Sequence, residues 1–178
     1  MTALYIALGI LMGLALIFGI FLLLIKPRSP RKRPDATPFL GKEYAHRGLH
    51  TKTIPENSLR AFEGAVERGL GIELDIQLSA DNEVVVFHDF TLNRVAGVDK
   101  KVKDLTAEEL ANLSLCGQGD GVPTLKQVLE LVDGKVPLII ELKIPGFDLS
   151  VCPKAFELLD CYTGPYCVES FHPMALNW

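Results

Sequence analysis

The chain has 178 residues, a net charge of −4 and 48% hydrophobic residues, and all 22 acidic side chains lie beyond residue 34. That length allows one domain of ordinary size with a short appendage. The acidic body of the chain disfavours a nucleic-acid-binding protein. Four cysteines without a Cys-x-x-Cys spacing favour reduced thiols over a zinc site or a disulfide framework.

Residues 1–25 are predicted to form one transmembrane helix. The 23 residues from Ala3 to Ile25 carry no charge, and a helix of that length spans roughly 34 Å, enough for a bilayer core of about 30 Å. A cleaved signal peptide is the alternative, but no basic residue precedes the apolar run and no small-residue cleavage site is evident. We therefore expect an uncleaved, single-pass anchor in the cell membrane.

Gly9 and Gly13 have the spacing of a close helix contact, which allows a weak homodimer through this helix.

Residues 26–42 are predicted to be a basic, proline-rich linker. Residues 26–34 contain five Lys and Arg side chains and no acidic one. Positive residues that flank a membrane span stay on the cytoplasmic side, so we expect the remainder of the chain to be cytoplasmic. The prolines favour an extended backbone.

From residue 43 onward, short strand-like runs alternate with helical patterns. Thr106 and Thr124 each begin a capping box that opens a helix. Strands that alternate with helices indicate an α/β fold with a parallel sheet. The strands are predicted at 44–46, 72–78, 84–88, 136–143 and 166–171, and further helices at 57–68 and 153–159.

Charged side chains alternate with apolar ones on two of these strands. Glu73 and Asp75 share one face of the second strand, and Glu141 and Lys143 share one face of the fourth. Both faces of a parallel sheet are usually covered, so carboxylates there are costly unless they are paired or bind a metal. Three acidic oxygen donors suit Mg²⁺ or Ca²⁺. A half-exposed antiparallel strand with a solvated acidic face is the alternative.

Two histidines lie at the ends of strand-like runs: His46 ends the first run and His88 ends the third. Imidazole is suited to general acid and base work near neutral pH. Arg47 offers a planar group for a phosphate, and Gly48 permits a tight turn beside it. The lysine-rich run at residues 100–103 is interpreted as a solvated loop.

An ordered series of motifs runs through the chain after the linker: His46–Gly48, Pro55–Ser58, Glu73–Asp75, Val86–Arg94, Asp104–Thr106, Pro123–Leu125, Glu141–Lys143 and Ser170–Pro173. Together these motifs resemble the glycerophosphodiester phosphodiesterase family. The resemblance covers residues 43–178 and implies a catalytic domain with a TIM-type (β/α)8 barrel. It also implies metal-dependent hydrolysis of glycerophosphodiesters to glycerol 3-phosphate and an alcohol.

The same resemblance implies roles for individual residues. It leaves open which histidine is the acid and which the base, and whether water attacks directly or after a cyclic phosphate forms. Asp89 and Arg94 are expected to hold the loop after the third strand. The implied site residues are Glu73, Asp75, Glu141 and Glu56 for the metal, His46 and His88 for proton transfer, and Arg47 and Lys143 for the phosphate.

The predicted domain differs from the family in its number of strands. We find five strand-like runs, whereas a closed barrel has eight strands. We therefore expect only about the first five β/α units, with the domain incomplete at its carboxyl end. Two alternatives stay open: a related barrel phosphodiesterase that acts on lysophospholipid or phospholipid head groups, and a non-catalytic, membrane-tethered binding protein.

Overall fold

The computed structural model describes residues 2–24 and 35–175. The basic part of the predicted linker, residues 26–34, lies outside these described residues. The first element is helix α1, Thr2–Leu24. Its large apolar side chains are exposed, for example 73% of Met12 and 71% of Leu23. By length and composition α1 can cross a membrane, although a signal sequence meets the same criterion.

Five strands form the sheet: β1 (Tyr44–His46), β2 (Gly71–Leu78), β3 (Val84–Val86), β4 (Leu138–Leu142) and β5 (Tyr166–Glu169). The order is β1-β2-β4-β5, and neighbouring strands in this series run parallel. The parallel strands with their connecting helices form part of a TIM-type barrel, as the sequence predicted.

Strand β3 differs from the prediction in direction and length. It runs antiparallel to β2 and ends at Val86, whereas we expected a parallel strand that extends to His88. Only residues 79–83 separate β2 from β3. A parallel crossover needs a dozen or more residues, so this connection can only make a hairpin. The parallel series therefore has four of the five strands, and His88 lies in the loop after β3.

The helices after α1 are α2 (Leu59–Glu67), α3 (Asn93–Ala96), α4 (Ala107–Ala111), α5 (Leu125–Val132) and α6 (Val151–Leu159). Short 3-10 turns occupy 37–39, 102–104 and 115–117. Both predicted capping boxes are confirmed, with Thr106 at the start of α4 and Thr124 at the start of α5. Helix α2 begins later than predicted because Asn57 has a left-handed φ of 53° and Ser58 is the N-cap.

Two apolar cores hold the domain together. In the first, Ile72, Leu74 and Ile76 of β2 pack against side chains of α2, α5 and α6. The second lies within the insert segment (residues 87–122), where Leu92, Leu110 and other buried side chains pack together, joined by Val85 of β3. The helices cover the apolar face of β2, and Gln77 on its polar face bonds to the backbone of the insert segment. The four cysteines are unpaired.

Candidate active site

Three carboxylates converge on the polar face of the sheet. Asp75 is fully buried, and Glu73 and Glu141 are only 9% and 7% exposed. Parallel register places Asp75 of β2 directly beside Glu141 of β4, and Glu73 lies two residues before Asp75 on the same face. One oxygen of each carboxylate lies within 4.8 Å of the others. The predicted acidic cluster is therefore present.

Two cations flank this acidic cluster. The backbone N–H of Arg47 donates to Oε2 of Glu73 over 3.0 Å, and its Nε lies 3.6 Å from Oδ2 of Asp75. Nζ of Lys143 donates to Oε1 of Glu141 over 3.0 Å and lies 3.5 Å from Oδ1 of Asp75. Arg47 and Lys143 therefore place two positive charges beside the three carboxylates.

Burial and mutual repulsion make Glu73 hard to ionise. Loss of solvent raises the pKa of Glu73 to about 7, and the charges of Asp75, Glu141 and Glu169 act in the same direction. The hydrogen bond from the Arg47 backbone acts the other way. Carboxylates packed this closely require a counter-charge to stay ionised together.

The turn that carries Arg47 depends on a glycine. Gly48 has a φ of 79°, and a Cβ at this position would lie 2.8 Å from Cβ of Ala61 and 2.9 Å from its carbonyl carbon. Only glycine allows the turn to approach α2 so closely. Arg47 itself has a left-handed φ of 57°, so its backbone N–H can point at Glu73.

The two histidines lie in different surroundings. The side chain of His46 is 69% exposed at the end of β1, with Nε2 3.8 Å from Oε2 of Glu73. The side chain of His88 is 29% exposed, and its Nδ1 lies 2.6 Å from Oδ1 of Asp89. Nε2 of Gln77 donates to the carbonyl oxygens of Phe87 and Asp89 over 2.7 and 2.9 Å. This side chain therefore fixes the backbone on both sides of His88.

Arg94 connects the histidine loop to the rest of the cluster. It donates to Asp89 and, through Nη1 and Nη2, to both oxygens of Glu56 over 2.9 and 2.6 Å. Glu56 also accepts from Arg47 over 2.9 Å. Hydrogen bonds from Arg94 are the largest cause that lowers the pKa of Glu56 and of Asp89, each to about 2. Arg94 thus holds the loop, as expected, and also reaches the Pro55–Ser58 motif.

The eight predicted site residues form one chain of contacts once Asp89 and Arg94 are included. Glu56 takes part through arginine ion pairs and is outside the group of three clustered carboxylates. Its role as a metal ligand stays a prediction, as do the individual roles of the other residues.

Sequence reasoning missed three contributors to the site. Asn57 is buried and donates from Nδ2 to Oδ2 of Asp75 over 2.9 Å. Gln77 supports the His88 loop, and Glu169 is the register partner of Glu141 on β5. Signals were available for two of them: Asn57 lies in the Pro55–Ser58 motif, and Gln77 continues the alternation of Glu73 and Asp75.

The donor set fits a hard divalent cation. All three candidate ligands offer carboxylate oxygen, the atom type that Mg²⁺ and Ca²⁺ prefer. The three oxygens lie within 4.8 Å of one another, and two ligands on opposite sides of Ca²⁺ are separated by about twice 2.4 Å. Oδ1 of Asp75 is buried without a hydrogen-bond partner, although the Lys143 ammonium lies nearby. Among the described residues, Glu73, Asp75 and Glu141 form a group that could hold a divalent ion.

Comparisons with known proteins agree with this arrangement. Residues 46–157 match the Glycerophosphoryl diester phosphodiesterase family. A glycerophosphodiester phosphodiesterase of Caldanaerobacter subterraneus is 44% identical over 107 residues, which are 56% of this chain and 44% of that protein. Human lysophospholipase D GDPD1 is 34% identical over 137 residues, which are 70% of this chain and 43% of that protein.

A solved structure shares the fold. An Oleispira antarctica phosphodiesterase in complex with the product sn-glycerol-3-phosphate superposes with a TM-score of 0.73 at 30% identity. The match covers 80% of this chain and 62% of the other. This chain spans less than half the length of the curated relatives named above. Its motifs, its sheet and these matches show that the chain belongs to the glycerophosphoryl diester phosphodiesterase family.

Proposed function

We propose that this protein hydrolyses glycerophosphodiesters to glycerol 3-phosphate and an alcohol with the help of a divalent cation. The observation that carries the proposal is the buried cluster of Glu73, Asp75 and Glu141 with a cation on each side. Family membership and the similarity to a phosphodiesterase in complex with sn-glycerol-3-phosphate support the substrate class.

Each residue of the site has a proposed role. Glu73, Asp75 and Glu141 hold Mg²⁺ or Ca²⁺, and Glu56 remains a candidate fourth ligand. When bound, such an ion polarises the phosphoryl oxygen and stabilises the charge that develops on it. Arg47 and Lys143 bind phosphate oxygens, which their positions beside the carboxylates favour. His46 and His88 exchange protons with the attacking oxygen and the leaving alcohol oxygen.

The test is release of glycerol 3-phosphate from glycerophosphocholine by the full chain, with Mg²⁺, with Ca²⁺ and with EDTA. We expect turnover that EDTA abolishes and that His46→Ala reduces by roughly 10²–10⁴-fold, the usual contribution of a general acid or base. His50→Ala is the matched control, because His50 is exposed on the loop after Gly48 and does not belong to the acidic cluster. Undiminished turnover in both His46→Ala and Glu73→Ala would refute the proposal. Binding of glycerol 3-phosphate without turnover would favour the non-catalytic binding protein.

A second candidate substrate is a lysophospholipid. The similarity to a human protein named lysophospholipase D favours it, as does the long apolar helix α1. Rates on glycerophosphocholine and on lysophosphatidylcholine, measured with the same preparation, distinguish the two substrates.

We further propose that α1 anchors the domain to the membrane with the catalytic part in the cytoplasm. The length and apolar character of α1 support the anchor, and the basic residues 26–34 support the orientation. Alkaline extraction of membranes and protease protection in sealed vesicles test the two statements separately. The homodimer through Gly9 and Gly13 stays a prediction.

A further inference from the structure

A cavity of about 230 Å³ borders the acidic cluster, between the insert segment and the loops after β4 and β5. Glu141 and Lys143, which have proposed roles in metal and phosphate binding, form part of its wall. The loop after β5 contributes His172. This histidine belongs to the Ser170–Pro173 motif, to which the proposed function assigns no role.

The imidazole of His172 is available to a ligand in this cavity. Within the described part of the chain, neither ring nitrogen takes part in a hydrogen bond. Nδ1 is buried without a partner, whereas Nε2 is not buried. Because the side chain lines the cavity, Nε2 is the ring nitrogen that can bond to a molecule bound there.

The loop around His172 fixes the position of this ring. Oγ of Ser170 donates to the carbonyl oxygen of Leu142 over 2.8 Å and accepts from the backbone N–H of His172 over 3.1 Å. The ring of Phe147 meets the imidazole edge-on, with a distance of 6.1 Å between the ring centroids. Since Leu142 lies between Glu141 and Lys143 in the chain, Ser170 ties the imidazole to the backbone that carries both site residues.

We infer that His172 is a specificity-determining residue whose Nε2 hydrogen-bonds a glycerol hydroxyl of the substrate while Lys143 holds the phosphate. The inference rests on the proposed function, because Lys143 belongs to both the cavity and the phosphate site. It identifies the side chain that distinguishes a glycerol diester from a simple alkyl diester.

The other polar side chains of the cavity are already engaged. Glu141 and Lys143 are assigned to the metal and the phosphate, and the hydroxyl of Ser170 donates to Leu142. Among the described residues that line the cavity, His172 is therefore the polar side chain left for a hydroxyl group. Nε2 of an imidazole can donate or accept a hydrogen bond according to the tautomer, and a hydroxyl group can do both.

The test compares two ligands that differ in their hydroxyl groups, and it measures binding without turnover. The full chain in lipid nanodiscs, with Mg²⁺ present, is titrated calorimetrically with sn-glycerol 3-phosphate and with n-propyl phosphate. Propyl phosphate has the same carbon chain and lacks both hydroxyl groups. We expect the wild-type protein to bind glycerol 3-phosphate at least about fivefold more tightly, because the hydrogen bond to the hydroxyl adds affinity.

Three variants separate the hydrogen bond from the shape of the loop. His172→Phe should lower the ratio of the two affinities by at least about threefold without weakening propyl phosphate, because the phenyl ring fills the space but cannot form the bond. His172→Gln should keep most of the ratio, because its amide can still bond to the hydroxyl. His50→Phe is the matched control and should keep the ratio, since His50 is exposed and does not line the cavity.

The outcomes distinguish this inference from the proposed hydrolysis. A wild-type ratio near one, or an equal loss of affinity for both ligands in His172→Phe, would overturn the inference and leave the hydrolysis standing. A ratio that depends on His172 in a preparation that turns over no glycerophosphocholine would support the inference and contradict the hydrolysis. Failure to bind either phosphate would contradict the phosphate site at Lys143 and, with it, both proposals.

Discussion

Nδ1 of His88 lies 2.6 Å from Oδ1 of Asp89, and Arg94 donates to both oxygens of the same carboxylate. Hydrogen bonds from Arg94 and His88 keep Asp89 ionised, with a pKa lowered to about 2. Because the carboxylate occupies Nδ1, Nε2 is the nitrogen left for the proton exchange that we propose for His88. We therefore propose that Asp89 is a positioning residue for His88.

Asp89→Asn should reduce kcat by about tenfold to a hundredfold, less than complete loss of a general acid or base. The amide keeps the size of the side chain but weakens control over the orientation and tautomer of the ring. KM for glycerophosphocholine should change little, and steady-state kinetics separate the two constants. Asp99→Asn is the control, because Asp99 is exposed in the same segment and bonds only to Asn93 among the described contacts. An equal loss of kcat in both variants would count against the positioning role.

Gln77→Ala should lower both stability and kcat. The variant leaves the carbonyl oxygens of Phe87 and Asp89 without their donor, at a cost of about 1–3 kcal/mol. Gln127→Ala is a control for stability alone, because it removes a capping-box bond at the start of α5. Thermal unfolding should show that both variants are destabilised. At a temperature where both variants are folded, only Gln77→Ala should reduce kcat. A normal kcat in Gln77→Ala would contradict the inference that Gln77 positions the His88 loop.

Metal binding and pH should be coupled through Glu73. Folding raises the pKa of this carboxyl from 4.5 to about 7, so its ionisation opposes folding as pH rises from 4.5 through 7. In EDTA, Glu73→Gln should therefore melt above the wild-type protein at pH 8, and the difference should narrow at pH 6. Mg²⁺ or Ca²⁺ should raise the wild-type melting temperature more at pH 8 than at pH 6, because the ligand must be ionised.

The control for this experiment is Glu63→Gln, which changes an exposed carboxylate on α2. In Glu63→Gln the metal should raise the melting temperature as much as in the wild-type protein. In Glu73→Gln most of this rise should be lost. Scanning fluorimetry measures each melting temperature. If the metal raised the melting temperature equally at pH 6 and pH 8, or raised it in Glu73→Gln as much as in the wild-type protein, Glu73 would not be a ligand.

Gly48→Ala should be markedly more destabilising than Gly69→Ala. Both glycines have positive φ, 79° and 66°, so each substitution carries a backbone strain of roughly 1–2 kcal/mol. Only at Gly48 does the new Cβ also meet Ala61, at 2.8 Å, whereas nothing lies within 4 Å at Gly69. Chemical denaturation should show a cost larger by about 1–3 kcal/mol for Gly48→Ala, the usual range for overpacking. Similar costs for the two variants would mean that α2 shifts freely.

The acidic cluster could be predicted because strand periodicity is a local property. Glu73 and Asp75 alternate with apolar residues, and that pattern alone assigns them to one face of a strand. The direction of β3 was mispredicted because a run of valines does not reveal its pairing partner. The short 79–83 connection, which forces a hairpin, was the neglected signal. The bonds of Gln77 to the loop around His88 and of Arg94 to Glu56 depend on tertiary placement, so spacing in the sequence could not reveal them.

The insert segment has its own buried core, separate from the one beneath the sheet. The insert segment carries His88, Phe90, Lys101 and Lys103, and it has no strand of the parallel series. Substitutions at the exposed positions of the insert segment are therefore expected to leave the register of β2 and β4 unchanged. For protein engineering, this makes the segment a unit in which substitutions can be combined without disturbing the core beneath the sheet.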